Sequence, residues 1–276
     1  MSRPTERATG LTRRQAIHVT AQALAAGITG LSPQIGGGSS SAAETPKQTR
    51  PAYQPRRDAG PVGKLRIATC QFPVSHSPGE NAKHIRDFLH KAAEAGAHLL
   101  HTSEASLSGY AGSDFPSFGK YDWNVLRKET SGLRTLVKDL NMWLILGSAH
   151  FLDKHTMPTN CLFLIDPEGK IADRYDKCFC TRGDQQHYSA GDRLVTRDIR
   201  NVRIGLAICY DICWPQLYIG YRQQGVTVMI HSFYNAGAKG KNCLDTLNVY
   251  QVPTRCADNR LWAVANNSSK PYSHWV

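Results

Sequence analysis

The sequence predicts a layered α/β fold in which helices cover the faces of a mixed β-sheet. Strand-like and helix-like apolar patterns alternate along the chain from Leu65 onward, as expected of such layers. A turn signal at Pro167-Glu-Gly169 separates two apolar runs and adds an antiparallel hairpin. The 276 residues, of which 41% are apolar and 20% charged, suit a globular protein with a sizeable core.

The first predicted elements are a strand and a helix. Residues 65–71 alternate between apolar and polar side chains, as a strand does. Residues 79–95 place Ile85 and Leu89 on one helical face, and Gly96 provides a stop. The pattern then predicts a strand at 98–103, a helix at 121–140, a strand at 142–149, and hairpin strands at 160–166 and 170–176.

The remaining elements continue this alternation. Residues 202–208 form a strand with apolar residues at 202, 204, 206 and 208 on one face. The pattern then predicts a helix at 215–224, a strand at 226–231, a helix at 239–258 that contains Pro253, and a strand at 261–265.

Residues 1–43 resemble a twin-arginine export signal. Arg13–Arg14 precedes a weakly apolar stretch rich in Ala and Gly. Residues 44–63, rich in Pro, Gly, Gln and Arg, are predicted to be a flexible linker. We therefore expect a periplasmic or extracellular protein; a cytoplasmic protein with a disordered basic tail is the alternative.

The positive charge is concentrated in the same leader. Residues 1–64 hold nine Lys and Arg but three Asp and Glu, more than half of the net charge of +11. The charge of the body is therefore mild, and we expect no nucleic-acid partner. No apolar run approaches the roughly 18 residues of a membrane helix, so we expect no membrane span in the mature protein.

Eight cysteines allow disulfides or a metal site. Cys178-x-Cys180 and Cys209-x-x-x-Cys213 can be drawn as a four-sulfur centre, but neither has the C-x-x-C spacing typical of zinc ligands. We expect free, mostly buried thiols, with no metal and no cofactor.

Three ionisable residues each follow an apolar strand: Glu104, Lys177 and Cys209. The ends of strands in an α/β sheet are the usual place for a site, and a cysteine at a strand-to-helix turn presents its sulfur as a nucleophile elbow does. A thiolate attacks carbon, an ammonium stabilises the charge that develops, and a carboxylate moves the protons. These groups suffice for amide or nitrile hydrolysis without a metal.

A cysteine–histidine protease is an alternative that the eleven histidines invite. The candidates are His150, His155, His187 and His231, and none lies in a recognisable partner motif.

Five segments together resemble the carbon–nitrogen hydrolase (nitrilase) superfamily. They are Leu65-Arg-Ile-Ala-Thr-Cys-Gln71, Ser103-Glu-Ala-Ser-Leu-Ser-Gly-Tyr110, Arg174-Tyr-Asp-Lys177, Ser189-Ala-Gly-Asp192 and Ile204-Gly-Leu-Ala-Ile-Cys-Tyr-Asp211, with Trp214-Pro215 after the last. The resemblance covers residues 64–276 and implies a four-layer αββα sandwich. It also implies a homodimer or larger homo-oligomer.

The resemblance assigns roles to four of these residues. Glu104 would be the general base and acid, Lys177 would stabilise the oxyanion, and Cys209 would form the thioester. The backbone N–H of Tyr210 would complete the oxyanion hole.

The sequence departs from the family pattern in two places. Many members carry a second Glu in the loop after the lysine; here Asp184 is the nearest acid and can substitute with a shorter reach. Members also usually continue past the strand end that is Asn266-Asn-Ser268 here. We therefore expect a sandwich truncated at the C-terminus, with an edge that is either covered by a partner subunit or left unpaired.

The expected activity is hydrolysis of a small amide or an N-carbamoyl compound, with release of ammonia. Tyr110, Trp214 and Phe233, which lie close to motif residues, are expected to line the substrate pocket. A nitrilase that forms a thioimidate, an acyl transferase with the same triad and a non-catalytic truncated relic are the alternatives.

Overall fold

The computed structural model describes residues 63–151, 157–235 and 243–269, without the side chains of 243–249. The signal predicted at 1–43 and nearly all of the linker predicted at 44–63 lie outside these residues, and both stay predictions. No helix among the described residues is long and apolar enough to cross a membrane.

Five strands form the first sheet, in the order in which they follow along the chain. They are β1 (Ile67–Thr69), β2 (Leu99–His101), β3 (Trp143–His150), β4 (Thr159–Ile165) and β5 (Ile171–Asp176). β1, β2 and β3 are parallel, and β4 and β5 add antiparallel pairs. The parallel strands are joined by helices α1 (Pro78–Glu94) and α2 (Trp123–Asp139), because parallel neighbours need a crossover connection.

Four strands form the second sheet, again in chain order. They are β6 (Thr196–Ile199), β7 (Val202–Ile208), β8 (Val228–Ser232) and β9 (Trp262–Asn266). β6 pairs antiparallel with β7, while β7, β8 and β9 are parallel. Helices α3 (Pro215–Gln223) and α4 (Cys243–Asn259) connect the parallel strands.

Three apolar clusters separate four layers. The first cluster joins α1 and α2 to one face of the first sheet. The second lies between the sheets, where Leu99, Ile145 and Leu164 share a core with Ile204, Leu206 and Ile230. The third joins the other face of the second sheet to α3, with Leu217, Tyr218 and Tyr221. The αββα sandwich is thus confirmed, whereas the apolar periodicity alone suggested one mixed sheet.

The helices begin where the sequence provides caps. The Ser77 side chain accepts from the Glu80 N–H at the start of α1, and Pro78 opens the helix. Asp122 accepts from the N–H groups of Asn124 and Val125 at the start of α2. These caps fix where the chain leaves each strand end and enters its helix.

Gly147 in β3 lets the loop that carries Glu104 lie directly against the first sheet. A Cβ at position 147 would lie 2.0 Å from the Ser103 carbonyl oxygen. We expect Gly147→Ala to lower the free energy of unfolding by about 1–3 kcal/mol or more, since the backbone must shift. Urea denaturation tests this.

Gly132→Ala in α2 is the matched control. Its Cβ would meet only the flexible end of Arg86, at 3.2 Å. Alanine is the better helix former, so this change is expected to raise stability by up to about 1 kcal/mol. Equal effects of the two substitutions would contradict the steric account.

Candidate active site

The three residues predicted at strand ends lie at the same end of the sandwich. Glu104 follows β2 and Lys177 follows β5 in the first sheet, and Cys209 follows β7 in the second. The Glu104 N–H donates to the Phe233 carbonyl, 3.2 Å away and just after β8. This bond ties the carboxylate loop of one sheet to the strand ends of the other.

A buried chain of charges runs through Lys177. Its Nζ lies 2.7 Å from Glu104 Oε1 and 2.9 Å from Asp184 Oδ2. All three side chains are at most 1% exposed. Asp184 is therefore a second carboxylate in contact with Lys177, and the Tyr110 hydroxyl donates to its other oxygen.

The two oxygens of Glu104 have different surroundings. Oε1 accepts from Lys177 Nζ and from Asn160 Nδ2, each at 2.7 Å. Oε2 is buried and has no hydrogen-bond partner among the described residues. A buried carboxylate oxygen without a donor is costly at rest, and it is the oxygen free to take a proton.

Burial and charge set the protonation of this chain in opposite directions. Burial raises the pKa of the Glu104 carboxyl more than Lys177 lowers it. Burial opposes the charged form of Lys177, but Glu104 and the other anionic neighbours outweigh it and raise the lysine pKa well above its usual value. Burial also disfavours the Asp184 anion, yet Lys177 and the Tyr110 hydroxyl keep its pKa below its usual value. Lys177 therefore stays protonated and Asp184 stays ionised, while the Glu104 carboxyl can gain or lose a proton.

Cys209 begins a short turn of 3-10 helix in a strained backbone conformation. Its φ is 41°, in the left-handed region that non-glycine residues rarely adopt. His231 Nε2 lies 3.2 Å from the Cys209 carbonyl oxygen, and the Tyr218 hydroxyl lies 2.7 Å from the other ring nitrogen. His231 therefore holds the backbone of the cysteine rather than its thiol, unlike the partner in a cysteine–histidine dyad.

Asp211 stabilises the same turn through hydrogen bonds to its carboxylate. Its carboxylate accepts from the Ile208 N–H at 2.8 Å, the Tyr175 hydroxyl at 2.7 Å and the Phe179 N–H at 2.9 Å. Burial raises its pKa to about 6 against these donors. These bonds connect the cysteine turn to β5 and to the loop after Lys177, so they fix the two relative to each other.

The Cys209 thiol is half-buried, and its protonation is influenced by the charges of Glu104, Lys177 and Asp184. Burial, and then the Glu104 carboxylate, raise the pKa of Cys209 well above its usual value, while Lys177 and the Tyr234 N–H lower it. Cys209 Sγ lies 3.7 Å from Asn235 Oδ1. The resting site therefore holds a neutral thiol, and a base must remove its proton as it attacks.

Among the further residues predicted for the site, Tyr110 lies beside Lys177, while Tyr210 and Trp214 follow Cys209 in the sequence. Tyr110 packs beside the charged chain, with its ring centre 5.9 Å from Lys177 Nζ. Tyr210, half-buried, follows Cys209 in the turn, where the first N–H groups have no partner within the helix. Trp214 is 39% exposed and stacks on Phe179 with ring centres 4.5 Å apart.

A cleft of about 550 Å³ opens beside the loop after Lys177. Trp214 lines it, together with Cys178, Cys180 and Tyr188; Tyr110 does not. The wall formed by the described residues is thus uncharged.

The seven cysteines whose side chains are described are free thiols. No three His, Cys, Asp or Glu side chains among the described residues are arranged to hold a metal ion.

Three contacts of the site are not visible in the sequence pattern. Asn160 lies inside β4, Tyr234 and Asn235 follow β8, and none belongs to a motif used above. The position of Asn235 at a strand end was the one available signal, since Glu104, Lys177 and Cys209 share it.

Two buried histidines, His101 and His231, make the free energy of unfolding depend on pH. Burial lowers the pKa of His101 and of His231 to about 3 each, from 6.5. The unfolded chain binds these protons below pH 6.5 and the folded chain does not, so stability falls as the pH falls. At pH 5 we expect a loss of about 2 kcal/mol per histidine relative to pH 7.

Urea denaturation at pH 7 and pH 5 measures this loss. His101→Gln should make the dependence shallower, whereas His90→Gln, at an exposed position in α1, should leave it unchanged. An identical pH dependence in His101→Gln would contradict the assignment.

The family model for carbon-nitrogen hydrolases matches residues 66–269. Among curated relatives, omega-amidase NIT2 of Homo sapiens is 26% identical over 176 residues, which cover 60% of this chain and 62% of the relative. The chloroplastic omega-amidase of Arabidopsis thaliana is 26% identical over 244 residues, covering 83% and 65%. This chain therefore spans slightly less than two thirds of the length of these relatives.

Solved structures share the fold. An amidase from Nesterenkonia sp. superposes with a TM-score of 0.67 at 20% identity, covering 78% of this chain and 80% of that chain. A mutant of that amidase in complex with butyramide gives a TM-score of 0.67 at 20% identity, with 77% and 79% covered. Another mutant carries the acetamide moiety of fluoroacetamide on its active-site cysteine; its TM-score is 0.67 at 20% identity, with 78% and 81% covered.

Proposed function

Because this chain belongs to the carbon–nitrogen hydrolase family, we propose that it hydrolyses the C–N bond of a small amide or N-carbamoyl compound through a thioester on Cys209. The observation that carries this proposal is the buried Glu104–Lys177–Asp184 chain beside a half-buried thiol in a strained turn. The amidase neighbour with a covalent group on its active-site cysteine supports the same chemistry.

The first step is attack by Cys209 on the amide carbon. Glu104 Oε2, the oxygen without a donor, takes the thiol proton as the C–S bond forms. Negative charge develops on the amide oxygen, where Lys177 and the Tyr210 N–H stabilise it. Asp184 keeps the ammonium charged and in place throughout.

The second step releases ammonia and then water cleaves the thioester. Glu104 returns its proton to the leaving nitrogen as the C–N bond breaks. The same carboxylate then takes a proton from water as its oxygen attacks the thioester carbon, and it gives that proton to the sulfur as the C–S bond breaks, which restores the thiol. One residue serves both half-reactions because burial holds the pKa of Glu104 above its usual value.

The test is ammonia release from a panel of compounds. We expect turnover of butyramide, which the structural neighbour binds, or of an omega-amide, after which the curated relatives are named. N-carbamoyl compounds and nitriles complete the panel, and turnover restricted to nitriles would replace the amidase proposal with a nitrilase. Mass spectrometry should find the acyl group on the Cys209 peptide.

We also propose that the protein is exported through its twin-arginine leader. Arg13–Arg14 before an Ala- and Gly-rich stretch supports this. Replacing the pair by Lys–Lys should leave the protein in the cytoplasmic fraction, while Arg56–Arg57→Lys–Lys in the linker should not. Export of both variants would exclude this route.

We further propose a homodimer through the outer face formed by α3 and α4. Ile219 is 45% exposed and Tyr250 is 66% exposed on these helices, and a second copy would cover such exposed apolar surface. Ile219→Arg should lower the sedimentation coefficient to that of a monomer; a monomeric parent protein would exclude the proposal.

A further inference from the structure

We propose that Asn235 is a further catalytic residue, whose carboxamide accepts a hydrogen bond from the Cys209 thiol at rest and donates one to the sulfur once the proton has left. This inference rests on the proposed function, because it concerns the same nucleophile. The proposed steps on Glu104, Lys177 and Tyr210 do not involve this side chain.

The carboxamide contacts the reacting atom directly. Asn235 Oδ1 lies 3.7 Å from Cys209 Sγ, within reach of a thiol donor. The neutral thiol carries the hydrogen for this bond, so the amide oxygen orients the S–H while the site is at rest.

The other end of the same amide has an unused donor. Asn235 Nδ2 is buried and has no hydrogen-bond partner among the described residues. A buried amide donor without an acceptor costs free energy. An acceptor that forms nearby would remove this cost by accepting a hydrogen bond from Asn235 Nδ2. The sulfur becomes such an acceptor when its proton passes to Glu104 and the electron pair stays on sulfur.

The backbone allows this exchange without moving the loop. The Asn235 N–H donates to Asn267 Oδ1 at 2.9 Å, and Asn267 is 1% exposed, just after β9. The main chain of Asn235 is therefore anchored from the neighbouring strand. Rotation of the terminal amide, which is a soft torsion, is enough to exchange oxygen for nitrogen beside the sulfur.

The Asn235 amide differs from the charged groups of the site because it is a neutral donor. Lys177 lies between two carboxylates, so two of its three N–H groups are used at rest and the third is the one proposed for the oxyanion. The neutral Asn235 amide stabilises the thiolate without adding a charge that Glu104 or Asp184 would neutralise. Cys209 can then carry a negative charge during its attack while Lys177 keeps its contacts with Glu104 and Asp184.

The test compares Asn235→Asp with Asn235→Ala in the whole protein. Aspartate keeps the shape of asparagine but removes the donor and adds a negative charge, whereas alanine leaves room for water. The readout is the pH dependence of Cys209 alkylation by iodoacetamide, with the modified peptide identified by mass spectrometry. Asn259→Ala, at the end of α4, is the control and should match the parent.

We expect alkylation at pH 7 to fall about 10-fold in Asn235→Ala and about 100-fold in Asn235→Asp, in line with loss of a hydrogen bond to a charged atom. The midpoint of the pH profile should move upward in the same order. If the side chain only fills space, the order reverses, because aspartate preserves the packing and alanine does not. That reversed order, or profiles equal to the parent, would overturn the proposal.

Alkylation does not depend on hydrolysis, so the two proposals fail separately. Absence of ammonia release by the parent protein would remove the proposed function. The ranking of the two variants would still decide what Asn235 does to the sulfur.

Discussion

Cys209→Ala is expected to lower ammonia release by about 10,000-fold or more, to the level that positioning alone supports. The sulfur is the atom that forms the thioester, and none of the neighbouring groups can replace it. The variant should fold, because the side chain is half-buried and alanine leaves Asp211 and His231 in place. Ammonia release, together with the mass of the protein after exposure to fluoroacetamide, measures the effect.

The matched control is Cys213→Ala, four residues later in the same turn. Its thiol is also half-buried and free, and we assign it no role, so turnover should stay within about two-fold of the parent. An adduct that persists in Cys209→Ala would show that another thiol, such as Cys180 beside the cleft, carries the chemistry.

Lys177→Met should abolish turnover and also destabilise the fold. Methionine fills a similar volume, but it leaves Glu104 and Asp184 buried without the cation that lies between them. Breaking a buried ion pair on one side costs about 3–5 kcal/mol. Loss of the oxyanion donor alone removes about 10²–10³ in kcat, so the chemical defect should remain wherever the variant is folded.

The pH dependence of this variant has a defined sign. Without Lys177 the Glu104 pKa rises further, so the folded state binds a proton that the unfolded chain releases above about pH 4.5. The destabilisation should therefore grow as the pH rises from 4.5 and be smallest in acid. Urea denaturation at several pH values measures it.

Lys91→Met is the control for charge removal in general. Lys91 pairs with Asp87 at 3.4 Å on the surface of α1, with both side chains more than 60% exposed, so its loss should cost less than about 1 kcal/mol. A Lys177→Met variant as stable as the parent, or one with near-normal turnover, would contradict the role assigned to the ammonium.

Most strands could be predicted because their apolar pattern is strong. β7 has Ile204, Leu206 and Ile208 on the face that packs between the sheets, as the alternation predicted. β6 (Thr196–Ile199) was not predicted, since four residues with two exposed polar side chains give no recognisable pattern. Periodicity also did not divide the strands into two sheets, because β4 is buried on both faces and such a strand is compatible with either arrangement.

The site divides in a similar way. Strand ends and family motifs together predicted Glu104, Lys177 and Cys209, and the loop after the lysine pointed to Asp184. Tyr110 donates its hydroxyl to Asp184, and its place beside the substrate stays a prediction. Asn160 could not be found, because its contact with Glu104 depends on the register of β4 against its neighbours and not on local sequence.

The left-handed backbone at position 209 lowers the conformational stability of any variant that keeps a side chain there, including the one with the reactive sulfur. Glycine adopts a φ of 41° freely, whereas any side chain there carries a steric cost of about 1–2 kcal/mol. Of two equally inert variants, Cys209→Gly should therefore melt at a higher temperature than Cys209→Ala. The proposed reactive sulfur is therefore carried by a residue that costs the folded protein conformational stability.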